Sequence, residues 1–151
     1  MADRRPVPRG ELRVVDRNPL NFAVIVFNVF EHLMRVNTDG RLEPELATSW
    51  TWLDDRMLEV RLRRGVTFQN GEVFDAEAVR VNFEETKQLR DHFHLGTFLN
   101  FKPGSRVDIV DSHTVRFVFP EPDGAALARI SFMHIGSRQF YRELGWGDKH
   151  W

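Results

Sequence analysis

Hydrophobic and polar residues alternate with a period of two over two neighbouring stretches of the chain. Trp50 and Trp52 flank a threonine, and within Leu58–Leu62 every second residue is leucine or valine, with glutamate and arginine between them. Such a period gives a β-strand one apolar face and one charged face. The short polar break Leu53-Asp54-Asp55-Arg56 separates the two stretches, so the pattern predicts a β-hairpin.

A helix is predicted soon after this hairpin. Asn70-Gly71 marks a tight turn, because glycine adopts positive φ without steric cost. Asp75 is a suitable N-cap residue, and Phe74 and Val79 occupy the two positions that form a hydrophobic staple around such a cap. Apolar residues at helical spacing then continue, and we expect the helix to end at about Leu89.

The same order of elements recurs in the second half of the chain. Alternating apolar residues before and after Asp111-Ser112-His113 predict a second hairpin. Two prolines end it, and Asp123 is expected to cap a helix that extends to about Phe132. A further short helix is predicted over Arg138–Leu144. Hairpins followed by helices indicate an α+β fold, in which antiparallel hairpins pack with helices.

A nearly continuous apolar run, Phe22–Met34, precedes the first hairpin. The run is too short, and too often interrupted by polar residues, to span a bilayer. Asn18-Pro19 is a helix start signal, so the run is predicted to be a buried helix. We also expect a short strand at Glu11–Asp16 and a turn at Asn37–Gly40.

Composition narrows the classes of function. The chain has 151 residues, of which 42% are hydrophobic and 28% charged, as in a globular domain. A net charge of −1 gives no electrostatic reason to expect nucleic acid as a partner. The absence of cysteine excludes disulfides and thiolate chemistry within these residues. The first residues lack the apolar segment of a signal peptide.

Candidate catalytic and metal-binding residues are few and isolated. His92 and His94 are the only close histidine pair, and Asp91 is the sole carboxylate nearby, so a polar loop explains them better than a metal site. Glu84 and Glu85 diverge by about 100° on a helix and cannot share one proton. We therefore predict no catalytic residue, no metal site and no cofactor.

Three segments, in this order, resemble motifs of a known family. They are Phe30–Leu33, Leu42–Trp50 and Leu62–Val79, and the second matches the family pattern Leu-x-Pro-x-Leu-Ala-x-Ser-Trp. The chain thereby resembles the N-terminal part of the family 5 solute-binding proteins of bacterial peptide and nickel ABC importers. Three residues depart from the family pattern: His32 for the usual proline, Gln69 for histidine and Ala78 for aspartate.

The resemblance implies part of a type II periplasmic-binding-protein lobe. Residues 1–29 would be a lead-in, a first strand and the start of the apolar helix of the larger N-terminal subdomain. Residues 30–151 would form the smaller subdomain of that lobe, with the C-terminal lobe absent. The family places ligand contacts in two matching regions, 18–27 and 94–101. The candidates there are Asn21, Phe22, His94, Phe98 and Phe101, and core packing is the alternative for each phenylalanine.

The resemblance also implies a function. Such a protein captures an oligopeptide or related small solute, or a nickel complex, by closing two lobes around it, and delivers it to an ABC permease in the membrane. It would act at the periplasmic or extracellular face of the cell membrane, not as an enzyme and without a cofactor. The alternative is a structural or protein-interaction module that associates with itself through exposed apolar surface.

Overall fold

The structure, a computed structural model, describes residues 29–92 and 99–144, with side chains at 29–87 and 99–143. It has an α+β fold, as predicted from the sequence. In chain order the elements are β1 (Glu31–His32), β2 (Met34–Val36), β3 (Leu42–Pro44), β4 (Ala47–Asp54), β5 (Met57–Leu62), α1 (Ala76–His92), β6 (Arg106–Asp111), β7 (Thr114–Val118), α2 (Ala126–Ser131), β8 (His134–Ile135) and α3 (Arg138–Leu144).

Four antiparallel strands form the main sheet, in the order β4-β5-β7-β6. Both predicted hairpins are confirmed, and β5 pairs with β7 to join them into one sheet. The register aligns Leu58 with Phe117 and Val60 with Val115. All four side chains are fully buried, so the alternation seen in the sequence places one face of the sheet in the core.

Helix α1 covers the apolar face of this sheet. Phe83 is fully buried, with its ring centroid 4.7 Å from that of Phe101 and 5.6 Å from that of Phe117. The predicted N-cap is confirmed, because Asp75 Oδ1 accepts a hydrogen bond from the Ala78 N–H at 2.8 Å. The helix extends to His92, three residues beyond the predicted end.

The predicted turns are also present. Gly40 closes the turn after β2, and Gly71 closes the turn that precedes α1. Their φ angles are 75° and 83°, in the left-handed region that favours glycine. Asn70 Oδ1 accepts from the Glu72 N–H at 3.1 Å, which explains why asparagine precedes glycine here.

The helix predicted over Phe22–Met34 is wrong at its C-terminal end. Glu31 and His32 form β1, which pairs with β8, and Met34 begins β2, which pairs with β3. Periodicity cannot distinguish a short buried strand from a buried helix. The partner of β1 lies about a hundred residues away, so no local signal identifies it. Residues 22–28 of the run, the Asn18-Pro19 start and the strand at Glu11–Asp16 lie outside the described residues.

The cap predicted at Asp123 is wrong, whereas the helix after it is present. Helix α2 begins at Ala126, and its N-cap residue, Ala125, makes no side-chain cap hydrogen bond. Asp123 instead accepts from the Ala125 N–H at 3.0 Å and pairs with Arg129. The aspartate therefore forms a turn before the helix. The short helix predicted over Arg138–Leu144 is confirmed, and the subdomain boundary at Phe30 stays a prediction.

Candidate functional site

A groove of about 400 Å³ opens beside the β1–β8 strand pair. We call it the aromatic groove, because four phenylalanines line it: Phe30, Phe68, Phe74 and Phe140. Its polar lining residues are Glu31, Thr67, Gln69, Asn70, Ser137, Gln139 and Glu143. An apolar concave surface with a few polar groups is the usual form of a small-molecule site.

The aromatic rings of the groove pack edge to face. The Phe30 and Phe140 centroids are 6.0 Å apart with planes at 72°, and those of Phe68 and Phe74 are 6.2 Å apart at 79°. Phe74 is fully buried, and the other three rings are half-buried. Edge-to-face packing stabilises the rings in fixed positions. The groove therefore has a rigid aromatic wall with some ring surface accessible.

A histidine pair lies beneath Phe30. His32 and His134 are cross-strand neighbours in β1 and β8, their ring centroids are 4.8 Å apart, and Phe30 packs edge-on against His134 at 6.1 Å. The Glu45 carboxylate accepts from the His32 backbone N–H at 2.9 Å and lies 3.4 Å from its Nδ1. The pair thus fixes β1, which directly follows Phe30 in the chain.

Burial controls the protonation of these histidines. It lowers the pKa of His134 to about 3, with a further contribution from the charge of His32. Burial also lowers the pKa of His32, although the charge and hydrogen bond of Glu45 oppose this. Both rings are therefore uncharged at neutral pH.

The opposite rim of the groove joins the turn at Asn70 to the start of α3. Asn70 Nδ2 donates to Ser137 Oγ at 3.0 Å and to Gln139 Oε1 at 3.2 Å. Ser137 Oγ in turn accepts from the Phe140 N–H at 3.0 Å, as an N-cap side chain does. The position of Phe140 therefore depends on a residue almost seventy positions earlier in the sequence.

Glu72 binds the same helix from the other side. Its carboxylate accepts from the backbone N–H groups of Arg138 and Gln139, at 3.1 and 3.2 Å, and pairs with the Arg138 guanidinium. Burial would raise the pKa of Glu72, but the hydrogen bonds and charge of Arg138 and the Gln139 N–H together hold this pKa below its ordinary value. The carboxylate is therefore ionised at neutral pH and holds the first turn of α3.

Replacing Glu72 with glutamine is expected to lower the free energy of unfolding by about 1 to 2 kcal/mol, because charge-assisted hydrogen bonds become neutral ones. Urea unfolding at pH 7 measures the change. Glu77→Gln is the matched control: Glu77 pairs with Arg80 on the exposed side of α1, so its effect should stay within about 0.5 kcal/mol. Equal effects of the two substitutions would contradict a special role for Glu72.

Asn82 connects α1 to Gly136, which follows β8, and to Tyr141 in α3. The side chain is fully buried and donates to the Ala78 and Gly136 carbonyl oxygens, both at 2.8 Å. Its Oδ1 accepts from the Gly136 N–H at 2.8 Å and from the Tyr141 hydroxyl at 2.7 Å. The sequence analysis missed this residue. A carboxamide beside the apolar stripe of a predicted helix is the signal that could have identified it.

A second, polar cleft of about 700 Å³ lies between α1 and α3 and shares Asn70 and Gln139 with the aromatic groove. Charged residues of both signs line it: Glu72, Glu77, Glu85, Arg138 and Arg142. Glu72 pairs with Arg138, and Glu77 pairs with Arg80. Because these charges stabilise the fold among themselves, the polar cleft is the weaker candidate for a ligand.

The structure describes only one of the five predicted ligand-binding residues. Phe101 is 5% exposed, packs against Phe83 in the core, and lines neither cleft. Its packing therefore matches the core alternative, and a ligand role stays a prediction. Asn21, Phe22, His94 and Phe98 lie outside the described residues. Within residues 29–92 and 99–144, no three acidic or histidine side chains are grouped to hold a metal ion.

Comparison with known proteins agrees with the fold and the motifs. A family model described as "Bacterial extracellular solute-binding proteins, family 5 Middle" matches residues 41–150. The chain belongs to this family. The resemblance inferred from the three sequence motifs is thereby confirmed.

Several curated relatives are binding proteins by name. The glutathione-binding protein GsiB of Salmonella choleraesuis is 28% identical over 111 residues, which are 73% of this chain and 21% of the relative. GsiB of Escherichia coli K12 is 27% identical over the same length. The chain spans about a fifth of the length of the curated relatives it matches.

Solved structures show the same fold. NikA from Brucella suis, in complex with Fe(III)-EDTA, is 30% identical with a TM-score of 0.67, over 78% of this chain and 24% of that one. NikZ from Campylobacter jejuni, in complex with Ni(L-His), is similar in fold, with a TM-score of 0.66 and 23% identity. The match covers 79% of this chain and 24% of NikZ. In the part of the chain that the structure describes, no helix has the length and apolarity needed to cross a membrane.

Proposed function

We propose that the chain is part of the solute-binding component of an ABC importer. This component captures an oligopeptide or related small solute, or a nickel complex, outside the cytoplasmic membrane and delivers it to the permease. Membership of family 5 over residues 41–150 carries the proposal. The names of the relatives, which bind glutathione or metal complexes, support a small solute.

The aromatic groove is the surface by which these residues would contact the solute. Three half-buried phenylalanines offer apolar area there, and the Asn70 and Gln139 amides at the rim can hydrogen-bond to a polar group of the solute. The two side-chain amides are held in place, because Asn70 Nδ2 donates to Gln139 Oε1 at 3.2 Å and Gln139 Nε2 donates to Glu143 Oε1 at 2.7 Å. Little order is therefore lost on binding.

Closure of two lobes would complete the site. A groove open on one side buries only part of a ligand, whereas high-affinity sites bury most of the ligand surface. The opposite wall would come from a part corresponding to the stretch of the curated relatives that this chain does not span. Closing the lobes would exclude water and strengthen the hydrogen bonds at the rim. These 151 residues alone should therefore bind the solute weakly.

A protein-interaction module remains the second hypothesis, because apolar side chains are exposed at both edges of the main sheet. They include Trp52 and Leu53 in β4, and Ile109 and Val110 in β6. However, the register shifts between Trp52 and Asp54 and between Ile109 and Asp111. Such irregularities twist an edge strand and oppose pairing with another chain, so solute binding is the function better supported.

Thermal unfolding of the protein encoded by the complete reading frame tests the proposal. The panel is di- to pentapeptides, nickel chelates and sugars, since a ligand that binds the native state raises the unfolding midpoint. We expect one class to stabilise the protein by about 2.7 kcal/mol at a hundredfold excess over Kd. The same ligand should shift the 151-residue chain much less.

Single substitutions test whether the ligand-induced shift of the unfolding midpoint arises from binding in the aromatic groove. Phe140→Ala removes one wall of the aromatic groove and should abolish most of the ligand-induced shift, whereas Phe132→Ala, at an exposed ring outside the groove, should leave it unchanged. Two results would contradict the proposal: no response of the complete protein to any ligand, or a midpoint that changes only with protein concentration, as for a self-associating module.

A further inference from the structure

Among the described residues, the charged side chains that line the aromatic groove are all negative. Two carboxylates, Glu31 and Glu143, line it, and no lysine, arginine or histidine does so among the described residues. Its other polar groups are neutral amides and hydroxyls. The two glutamates come from different elements, Glu31 from β1 and Glu143 from α3, and Glu143 also accepts from the neutral Gln139 Nε2 at 2.7 Å. An anion entering the groove would meet no compensating positive charge, whereas a cation would meet two negative ones.

The aromatic residues of the groove also favour a positively charged ligand. Half-buried Phe30, Phe68 and Phe140 present accessible ring surface. The face of an aromatic ring attracts a cation, and this attraction grows as water is removed. Aromatic rings combined with carboxylates are therefore suited to a ligand that is both cationic and apolar.

The two arginines of α3 line the polar cleft and not the groove. Arg138 pairs with Glu72, and its Nη1 lies 3.7 Å from Asp75 Oδ1. It lines the polar cleft and not the groove. Arg142 also lines the polar cleft. His134, beneath Phe30, is uncharged at neutral pH because burial lowers its pKa. None of these groups neutralises the carboxylates of the groove.

We propose that the aromatic groove recognises a monovalent organic cation, an ammonium group on an aromatic or aliphatic body. The apolar body would lie against the phenylalanines, and the ammonium would be placed between Glu31 and Glu143. This inference rests on the proposed function, since it names the class of solute that the groove would select. Anionic solutes of the same size and shape would be rejected.

Three probes with the same apolar body test the inference on the protein from the complete reading frame. They are 4-phenylbutylamine, a cation at pH 7, 4-phenylbutan-1-ol, which is neutral, and 4-phenylbutyrate, an anion. Calorimetric titration should show the amine binding at least about tenfold more tightly than the alcohol, and no binding of the carboxylate. Raising the salt concentration should weaken binding of the amine alone, because salt screens charge.

Variants assign the preference to the groove. The double variant Glu31→Gln, Glu143→Gln lacks both carboxylates. It should bind the amine about tenfold more weakly and the alcohol with unchanged affinity. The control Glu121→Gln removes a carboxylate that pairs with Lys102 outside both clefts and should change neither. Loss of amine selectivity in the control as well would overturn the inference.

The outcomes separate this inference from the proposed function. If the alcohol or the carboxylate binds as tightly as the amine, and Phe140→Ala weakens that binding, the groove is a solute site with a different preference and only the inference fails. If no probe binds, or if the groove substitutions change nothing, the inference fails again, and the panel of peptides and chelates decides the proposed function independently.

Discussion

Replacing Asn82 with alanine should lower the free energy of unfolding by about 3 to 5 kcal/mol, the cost of leaving several buried polar groups without partners. The substitution removes the acceptor of the Gly136 N–H and of the Tyr141 hydroxyl, and the donor to the Gly136 carbonyl. All lie in the interior, where water cannot replace the lost hydrogen bonds. Urea unfolding of the chain at pH 7 measures the change.

Tyr141→Phe is the matched control for Asn82. It removes a single hydroxyl, and the Gly136 N–H still donates to Asn82 Oδ1, so the expected loss is about 1 kcal/mol. If both variants lost the same small amount, the Asn82 network would not be what holds α1 to β8 and α3. A large loss confined to Asn82→Ala would also explain why a polar residue stands in the apolar interface of the helix.

Acid should destabilise the fold well before the carboxylates titrate. The pKa of His134 is lowered by burial to about 3 in the folded chain, from an ordinary value of 6.5. Above pH 6.5 the ring is neutral in both the folded and the unfolded states. As the pH falls below 6.5, only the unfolded state takes up the proton, so the free energy of unfolding decreases.

The expected decrease is about 2 kcal/mol between pH 7 and pH 5 for His134 alone, since each pH unit below the unfolded pKa costs about 1.4 kcal/mol. His32, whose pKa burial also lowers, adds a change of the same sign. Glu72 and Asp123 have lowered pKa values and lose their stabilising contribution only as the pH falls below their unfolded values, near 4. Between pH 7 and pH 5 the change in the free energy of unfolding therefore reports mainly on the histidines.

Urea unfolding across this window, repeated with His134→Phe, measures the histidine contribution. Phenylalanine keeps an aromatic ring in contact with Phe30 and cannot be protonated, so most of the pH dependence should disappear. The control His113→Gln lies in the β6–β7 turn and should keep the dependence. A wild-type stability that is constant from pH 7 to 5 would contradict the account of the histidine pair.

Sequence reasoning succeeded where the signal was local. The alternation around Trp50 and Val60, and the cap at Asp75, depend on residues within a few positions of one another, and the structure confirms both. It failed at β1, because the strand that pairs with Glu31 lies at Ile135. A short apolar segment takes its conformation from the partner that covers it, and that partner is invisible in the local pattern.

The candidate site was harder to predict for the same reason. The walls of the aromatic groove come from Phe30, Phe68 and Phe140, which are distant in sequence and meet only because Asn70 and Glu72 hold α3. The sequence predicts Asn70 as a turn residue. Its hydrogen bonds to Ser137 and Gln139, which hold the start of α3, have no sequence signature. Phe101, chosen by resemblance, lies in the core.

Hydrogen–deuterium exchange on the protein from the complete reading frame, with and without each member of the panel of peptides, nickel chelates and sugars, tests solute binding at the aromatic groove most directly. Exchange resolves which backbone segments are stabilised when ligand is bound. If the solute binds in the groove, protection should increase in the groove segments, residues 66–70 and 135–140, and not in the β6–β7 turn. Protection confined to other segments, or none with any peptide, nickel chelate or sugar, would contradict binding there.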